Sequence, residues 1–547
     1  MNLTLIRPSE LVTDSANALT TPPVGVAYLA AYLREHGHAV RVIDGVGEGI
    51  FHYSELLDPR FGIRLHGLSI PAMLGRIEPD YAQVVGVSCM FSQDWPMVRT
   101  LIAQIRARFP DATIICGGEH ITAMPEHALR DCPAINFCVL REGEATLLEL
   151  VEQLGNLDAS SEAAFDSIPG LAYLDPTGGY VETPPRARIL DLDAIPHPAW
   201  DLVPIEAYLS SGSGFGVSKG RNMPVVASRG CPYSCTFCSN REMWGGRWRA
   251  RDPVKVVDEI EQYHRLYAAK NFDFYDLTMI VRKDWIMHFC EELERRRLDI
   301  TYQLPSGTRS EAIDEEVAAA LKRTGCCHIV YAPESGSRQT LERVNKRIDL
   351  DRAVRSMHAA VRAGTFVKMN MVIGFPGETH GDILQTWRLL MKTAWIGVQD
   401  VFVYTFTPYP GTVLFDDLTR AGRIPPIGDD FFYSLTSYIK LAHAVSYADR
   451  ISSRALALYR FASLLLFYSA SFAFHPERVF RVVRNLLCRR ADTRVEQFLR
   501  SLLRPSASNT HGLVLARRSG PTEGLVPGYR TTSRKSLAVQ PSEAARR

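Results

Sequence analysis

The sequence lacks a strong charge of either sign, because 62 Lys and Arg residues stand against 60 Asp and Glu residues in 547. A near-neutral chain offers no general attraction to phosphate backbones, so no nucleic acid partner is expected. The sequence also lacks any run of 18 uninterrupted apolar residues. A membrane-spanning helix is therefore not predicted.

The N-terminus lacks the basic-then-apolar order of a signal peptide, since MNLTLIRP is typical of a first strand. Without export, the eleven cysteines are expected to stay reduced, which favours metal ligation over disulfides. The sequence has no internal repeat. These absences together predict a cytoplasmic protein.

Short apolar runs alternate with helical periods along most of the chain, a pattern typical of α/β folds with parallel sheets. Five predicted strands, one of them over 84–88, indicate a doubly wound parallel sheet over residues 1–155. Six further strands, the first over 225–228, alternate with helices such as the one predicted over 283–296 and indicate a partial (β/α)6 barrel over 223–415. The stretch between them, 156–222, is rich in Pro, Gly and Ser and is predicted to be a linker with little regular structure.

The C-terminal part, 416–504, is predicted to be helical and contains the apolar run Phe461–Phe474. Fourteen residues are too few to span a bilayer but suffice for a helix at its surface. The arginines after this run would suit anionic head groups on the inner face of a membrane. Peripheral membrane contact through 451–504 and a helix packed over the barrel both remain open. The tail, 505–547, is basic and predicted to be disordered.

The most specific motif is a Cys-x3-Cys-x2-Cys spacing formed by Cys231, Cys235 and Cys238, in a loop after the first barrel strand. Three thiolates can bind three irons of a [4Fe-4S] cluster and leave the fourth iron open. Structural zinc normally takes four ligands, and no fourth ligand at suitable spacing follows Cys238. Barrel active sites lie at the C-terminal ends of strands, which is where this loop falls.

Here the chain resembles the radical S-adenosylmethionine superfamily, and more narrowly its cobalamin-binding branch. The resemblance covers roughly residues 1–415 and rests on several segments in order: RGCPYSCTFCSN (229–240), RWRARDPVKVVDEIE (247–261), GTRSE (307–311), YAPESGS (331–337), MVIGFPGET (371–379) and TPYPGT (407–412). It implies a [4Fe-4S] cluster whose open iron holds S-adenosylmethionine. An electron from a donor such as flavodoxin or ferredoxin then yields a 5′-deoxyadenosyl radical.

The resemblance also assigns residues around the cofactor. Glu334 and Ser335 would face the ribose and methionine parts of S-adenosylmethionine, and Gly374 would let the backbone approach the adenine. Asp276 would orient the cofactor. Strand-end salt bridges are the alternative for Asp276 and Glu334. Two basic residues, Arg309 and Lys346, are left without a role.

In this family the N-terminal sheet binds cobalamin, and the candidate contacts are Ser88, Gly117, Gly118 and His120 at strand ends. Glycines at such ends permit close approach of a ligand. The Asp-x-His-x-x-Gly signature of a lower axial histidine is absent. His120 is therefore expected to contact the cofactor's tail rather than the cobalt. A degenerate sheet without cobalamin remains the alternative.

The expected activity is hydrogen abstraction from a small, apolar metabolite, leading to C-methylation. Oxidative cyclisation on a porphyrin-like or lipid substrate is a second possibility, and Cys326 and Cys327 are candidates for quenching a radical. A methylthiotransferase-like RNA modifier and a non-enzymatic iron–sulfur sensor are weaker alternatives. The first normally carries three more N-terminal cysteines, and the second would not explain the cofactor-facing segments.

Overall fold

The computed structural model describes most of the chain up to the end of the last long helix. The described residues are 1–13, 20–156, 165–212, 214–217, 219–309, 312–438 and 444–488, with 493, 496 and 499. The predicted disordered tail, 505–547, lies outside the described residues, as do Arg489 and Arg490 after the apolar run.

The N-terminal half is built from short strands and helices in alternation. Its strands are β1 (Asn2–Arg7), β2 (Glu10–Thr13), β3 (Ala39–Asp44), β4 (Tyr53–Asp58), β5 (Ile63–His66), β6 (Val84–Ser88), β7 (Thr113–Gly117), β8 (Phe137–Val139), β9 (Leu171–Leu174) and β10 (Tyr180–Glu182). Its helices are α1 (Val24–Glu35), α2 (Ile70–Leu74), α3 (Trp95–Arg108), α4 (Glu119–Ala123), α5 (Pro125–Asp131), α6 (Glu144–Gly155) and α7 (Ile205–Ser211).

Seven of these strands form one sheet in the order β10-β9-β8-β7-β6-β1-β3, parallel from β8 to β3. Helices α1 and α6 cover one face and α3 covers the other, so both faces are buried. Strands such as β6, with the sequence VVGVS, are accordingly apolar on both sides. The strand order reverses between β1 and β6, and ligands bind beyond the strand ends at such a switch point.

The predicted linker contains more structure than expected. Strands β9 and β10 add antiparallel to the edge of the sheet at β8, and α7 follows them. The expectation of little regular structure over 156–222 is therefore wrong. These strands have only four and three residues, and β9 pairs with a strand more than 30 residues earlier, so a local pattern did not reveal them.

The second half begins with a strand directly after α7. Its strands are β11 (Asn222–Val225), β12 (Ser228–Arg229), β13 (Arg249–Ala250), β14 (Asn271–Phe274), β15 (Thr301–Thr308), β16 (Cys326–Glu334), β17 (Phe366–Ile373) and β18 (Asp400–Thr405). Its helices are α8 (Asn240–Trp244), α9 (Pro253–Tyr267), α10 (Lys283–Arg296), α11 (Glu315–Arg323), α12 (Arg338–Arg343), α13 (Leu350–Arg362), α14 (His380–Trp395) and α15 (Val413–Arg420).

Six parallel strands in the order β11-β14-β15-β16-β17-β18 form the partial barrel. The first strand ends at Val225, three residues earlier than predicted. The backbone leaves the sheet there because the amide of Ala227 donates to the buried carboxylate of Asp276. Ser228 and Arg229 then pair with β13 as a separate antiparallel hairpin.

Three helices complete the described chain: α16 (Asp429–Ser434), α17 (Ser453–Phe474) and α18 (Glu477–Leu487). Helix α17 has 22 residues, and by length and composition alone it could cross a membrane. The helix is thus longer than the apolar run. Three of its polar side chains, those of Arg460, Ser463 and Ser471, are buried. Arg460 is 2% exposed and its Nε donates to the carbonyl of Val403 at 2.7 Å. Helix α17 therefore covers the open edge of the barrel at β18.

Candidate active site

The three cysteines lie in the loop that follows β12. Gly230 precedes them with φ of 84°, and a side chain there would overlap the carbonyl of Arg247. The loop is held from the barrel side, because the Thr236 amide donates to the Val344 carbonyl at 3.0 Å. The side-chain amide of Asn345 donates to the Ser234 carbonyl at 2.8 Å. Backbone contacts thus fix the loop at the C-terminal end of the barrel.

Each cysteine retains some access to its surroundings: Cys231 and Cys235 are half-buried and Cys238 is exposed. Among the described residues, no three His, Cys, Asp or Glu side chains converge on one metal ion. Three accessible thiols in one loop fit a cubane cluster, in which each thiolate binds a different iron.

A charged group that sequence reasoning left unassigned lies beside this loop. The ammonium of Lys346 donates to Glu334 at 3.0 Å, and both side chains are buried. Burial would lower the pKa of Lys346, but Glu334 and the Cys235 thiol raise it above its ordinary value. The Arg309 guanidinium stacks on Tyr233, 3.3 Å from the ring centre. Two cations therefore lie where three thiolates and a carboxylate would concentrate negative charge.

Two of the predicted cofactor contacts are already engaged within the protein. Asp276 is 3% exposed and accepts hydrogen bonds from Ala227 and Ser228, and burial raises its pKa to about 6. It braces the start of the cysteine loop. The hydroxyl of Ser335 is buried, lies 3.4 Å from that of Thr386 and accepts the amide of Ser337. Direct contact of either residue with S-adenosylmethionine stays a prediction.

The loop after β17 places a carboxyl group at the backbone of Gly374. Gly374 has φ of 92° and donates its amide to Glu378. Burial raises the pKa of Glu378 to about 8, and its second oxygen, Oε1, has no hydrogen-bond partner among the residues that the structure describes. The side chain of Leu456, in the first turn of α17, lies directly against Gly374. A buried carboxyl oxygen is thus left unsatisfied in the loop that family resemblance places near adenine.

At the N-terminal sheet, Ser88 ends β6 and is paired in register with Gly117 at the end of β7. Gly118 follows with φ of 110°, packed against Cys89. The structure brings these three predicted residues to one edge. Met90 and Phe91, just beyond β6, are about half exposed, at 47% and 50%. Sequence reasoning missed this apolar surface, since exposure of a short loop is not visible in a local pattern.

His120 differs from its neighbours because it points into the protein. It is 1% exposed, its Nδ1 lies 3.0 Å from the Ser92 hydroxyl, and its ring meets Phe432 edge-on. Burial lowers the pKa of His120 to about 3. Its Nε2 has no hydrogen-bond partner in the part of the chain that the structure describes. A role as a cofactor contact stays a prediction, and any ligand would have to reach a buried ring.

The edge of the N-terminal sheet meets the cysteine loop directly. Ser239, which follows Cys238, donates its hydroxyl to Glu119, which follows Gly118. Gly411, after the last barrel strand, lies against Ala123 in α4. The two regions predicted to bind cofactors are therefore joined by side-chain contact.

A buried ion cluster fixes the hairpin that carries the cysteines to the same sheet. Arg229 donates to Glu142 at 3.2 Å and to Glu144 at 2.6 Å, and Arg249 donates to Glu142 at 3.1 Å. Burial opposes the ionisation of Glu144, yet the Arg229 guanidinium lowers the pKa of that carboxyl below its usual range. All four side chains are less than 10% exposed. Cys231 is two residues from this anchor.

Comparison with known proteins agrees with this arrangement. The radical SAM superfamily model matches residues 225–390, and the B12 binding domain model matches residues 16–151. An uncharacterized methyltransferase of Pyrococcus horikoshii is 30% identical over 445 residues, covering 81% of this chain and 88% of the relative. The chain belongs to the radical SAM superfamily.

Two further proteins are similar over most of this chain. The anaerobic magnesium-protoporphyrin IX monomethyl ester cyclase of Rubrivivax gelatinosus is 28% identical over 420 residues, covering 76% of this chain and 70% of the relative. The solved radical S-adenosylmethionine methyltransferase of Kitasatospora setae superposes with a TM-score of 0.59 at 18% identity, covering 77% and 76% of the two chains. The predicted fold, family and enzymatic nature are confirmed.

Proposed function

We propose that the enzyme cleaves S-adenosylmethionine reductively and transfers a methyl group to an unactivated carbon of a small metabolite. When bound, the cluster supplies the electron for this cleavage and cobalamin supplies the methyl group. The observation that carries the proposal is the Ser239–Glu119 contact, which joins the cysteine loop to the glycine edge of the B12 binding domain. Two cofactors held at these places would face a common space.

In this proposal Cys231, Cys235 and Cys238 hold the [4Fe-4S] cluster. The donor set suits it, since three accessible thiols can each bind one iron. Lys346 and Arg309 offset the negative charge of the thiolates. This stabilises the ionised form of the ligands, because opposite charges nearby favour ionisation.

S-adenosylmethionine lies over the ends of β16 and β17 in this proposal. Glu334 adopts φ of 69° and is held there by Lys346, so its backbone turns toward the cysteine loop. The Oε1 of Glu378, which carries the proton of the neutral carboxyl, would donate a hydrogen bond to the adenine side. Asp276 and Ser335 act by holding the loops in place.

Cobalamin lies on the edge formed by Ser88, Gly117 and Gly118. The half-exposed side chains of Met90 and Phe91 offer an apolar surface to a flat macrocycle. Exposed apolar residues beyond the ends of parallel strands are typical of ligand sites in such sheets. His120 contributes its unpartnered Nε2 to the cofactor's tail.

Radical cyclisation is the second candidate function, because the cyclase of Rubrivivax gelatinosus covers 76% of this chain. The two reactions share hydrogen abstraction and differ in whether a methyl group arrives. A flavodoxin- or ferredoxin-type protein supplies the electron in either case.

The enzyme works in the cytoplasm and contacts the inner face of the membrane through α17 and α18 in this proposal. Phe480 and Leu487 are both 79% exposed on α18, and Leu458 and Phe461 are more than half exposed on α17. Exposed Arg484 lies beside them. Apolar residues flanked by arginine suit a bilayer surface with anionic lipids.

The experiment uses anaerobically reconstituted protein loaded with cobalamin, a reductant, S-adenosylmethionine with a trideuterated methyl group, and a small-molecule extract of the source organism. Mass spectrometry should find a metabolite that carries the intact deuterated methyl group. A metabolite that loses hydrogen without gaining label would favour cyclisation. If no extract component changes while 5′-deoxyadenosine is formed, methyl transfer to a small metabolite is wrong.

A further inference from the structure

A cavity of about 430 Å³ opens between three parts of the molecule. The loop after β4 contributes Arg60 and Phe61, the turn after α16 contributes Ser437, and the first turns of α17 contribute Arg454 and Ala457. The N-terminal sheet, the connecting segment and the C-terminal helix therefore all line it. Its volume falls within the range of small-molecule sites.

Two of the segments that line the cavity also contact the candidate active site. Leu456 precedes the lining residue Ala457 and lies against Gly374 in the loop after β17. Tyr438 follows the lining residue Ser437 and stacks on Tyr404 of β18 with ring centres 5.8 Å apart. The first turns of α17 and the turn after α16 therefore connect the cavity to the proposed S-adenosylmethionine loop and to the barrel.

An aromatic row continues from Tyr438 into the barrel. Tyr404 stacks on Phe402 with ring centres 3.9 Å apart, and Tyr409 meets Tyr438 at 6.2 Å. Such a row offers flat apolar surface along the inside of β18. The body of a ligand that extends from the cavity would therefore pack against aromatic rings.

The charge of the cavity has one sign. None of its described lining residues is acidic, and two are arginines. Arg60 is paired with Asp58 and Asp430, so its charge is offset. Arg454 has no acidic partner among the described residues, so its guanidinium is available to bind an anionic solute. Phe61 and Ala457 supply apolar surface beside it.

Resting on the proposed function, we infer that this cavity is the substrate entrance and that the substrate is an amphipathic anion. Arg454 binds its carboxylate or phosphate group, and its apolar body extends along the row that starts at Tyr438. This refines the expectation of a merely apolar metabolite. A guanidinium matches the geometry of either anionic group.

The test compares two fluorescent probes of the same shape on the full chain: 1-anilinonaphthalene-8-sulfonate, an anion, and N-phenyl-1-naphthylamine, which is neutral. Arg454→Gln should weaken the anionic probe about tenfold, the effect of one lost charged contact, and leave the neutral probe unchanged. Ala457→Trp fills the cavity and should remove the saturable component of both. Arg450→Gln removes an exposed arginine four residues away, outside the lining, and should change neither.

Adsorption to exposed apolar surface is common to all variants, so only the component that Ala457→Trp removes is scored. Three results would overturn the inference. The wild-type protein shows no saturable probe binding, Ala457→Trp leaves that binding intact, or the two arginine substitutions change it equally. Iron content and 5′-deoxyadenosine formation of the wild-type protein are measured on the same preparation. Failure of those two measurements would count against the proposed function and leave the probe result standing.

Discussion

Glu378, in the loop after β17, accepts the amide of Gly374 and has a raised pKa. Folding raises its pKa from an ordinary 4.5 to about 8, mainly through burial. Between these values the folded chain holds a proton that the unfolded chain has lost. The free energy of unfolding therefore falls as pH rises through this window, and the stabilising effect of the neutral carboxyl is complete only below about 4.5.

Glu378→Gln should remove this pH dependence, because a neutral amide replaces a carboxyl that must ionise in a buried place. Relative to wild type, the variant should gain about 3–4 kcal/mol in unfolding free energy between pH 5 and pH 8, because linkage contributes about 1.4 kcal/mol per pH unit in this window. Urea denaturation of the cofactor-free protein at both pH values measures it. Glu342→Gln, at an exposed helix position, is the control. Parallel pH profiles for all three proteins would contradict the assignment.

The sequence predicted the three cluster cysteines well, but it did not reveal the surroundings of Lys346 and His120. The three cysteines fall within eight positions, so their spacing alone indicated a cluster. Lys346 was unassigned because its pairing with Glu334 depends on how the chain returns after β16. His120 was expected at an open edge, but Phe432, more than 300 residues later, covers it. Local patterns carry no information about such distant partners.

The β12–β13 hairpin shows how an element is held by charge. Arg229→Ala would leave Glu142 and Glu144 buried with less compensation, and it should destabilise the protein by about 3–5 kcal/mol. Chemical denaturation measures the change. Arg34→Ala breaks an ion pair with Asp201 that is about half exposed and should cost about 1 kcal/mol or less. Equal effects of the two substitutions would show that the buried cluster does not anchor the hairpin.

Helices α17 and α18 carry the prediction about membranes. Replacing Phe480 and Leu487 by Ser should reduce flotation of the protein with vesicles that contain phosphatidylglycerol, since both side chains are available to enter the interface. Phe51→Ser removes an equally exposed aromatic from the N-terminal half and should leave flotation unchanged. Flotation that survives the double substitution, or that wild type never shows, would remove membrane contact from the account.

At the scale of elements, long periodic segments were predicted well and short ones were not. The helix predicted over residues 283–296 matches α10, and the strand over 84–88 matches β6. The missed strand β9 forms by pairing with β8, and β10 forms by pairing with β9, rather than through a pattern of their own. Helix α17 begins eight residues before the apolar run, because Ser452 caps it through the Ala455 amide.

At the scale of the whole molecule, the order of a doubly wound sheet and a partial barrel followed from strand–helix alternation. The contact between the sheet and the barrel did not follow from that alternation. The contact of Glu119 with Ser239 and the ion cluster at Arg229 bring the two C-terminal edges together. No periodicity encodes this meeting, since it depends on side chains more than 80 positions apart. This contact between the sheet and the barrel also brings the two predicted cofactor sites next to each other.

Formation of 5′-deoxyadenosine by the full chain directly tests whether the three cysteines hold a cluster that cleaves S-adenosylmethionine. After anaerobic reconstitution with iron and sulfide, wild type should bind about four irons per chain and form 5′-deoxyadenosine from S-adenosylmethionine and a reductant. A variant with Cys231, Cys235 and Cys238 replaced by Ala should do neither. Wild-type protein that forms no more 5′-deoxyadenosine than this variant would contradict the account.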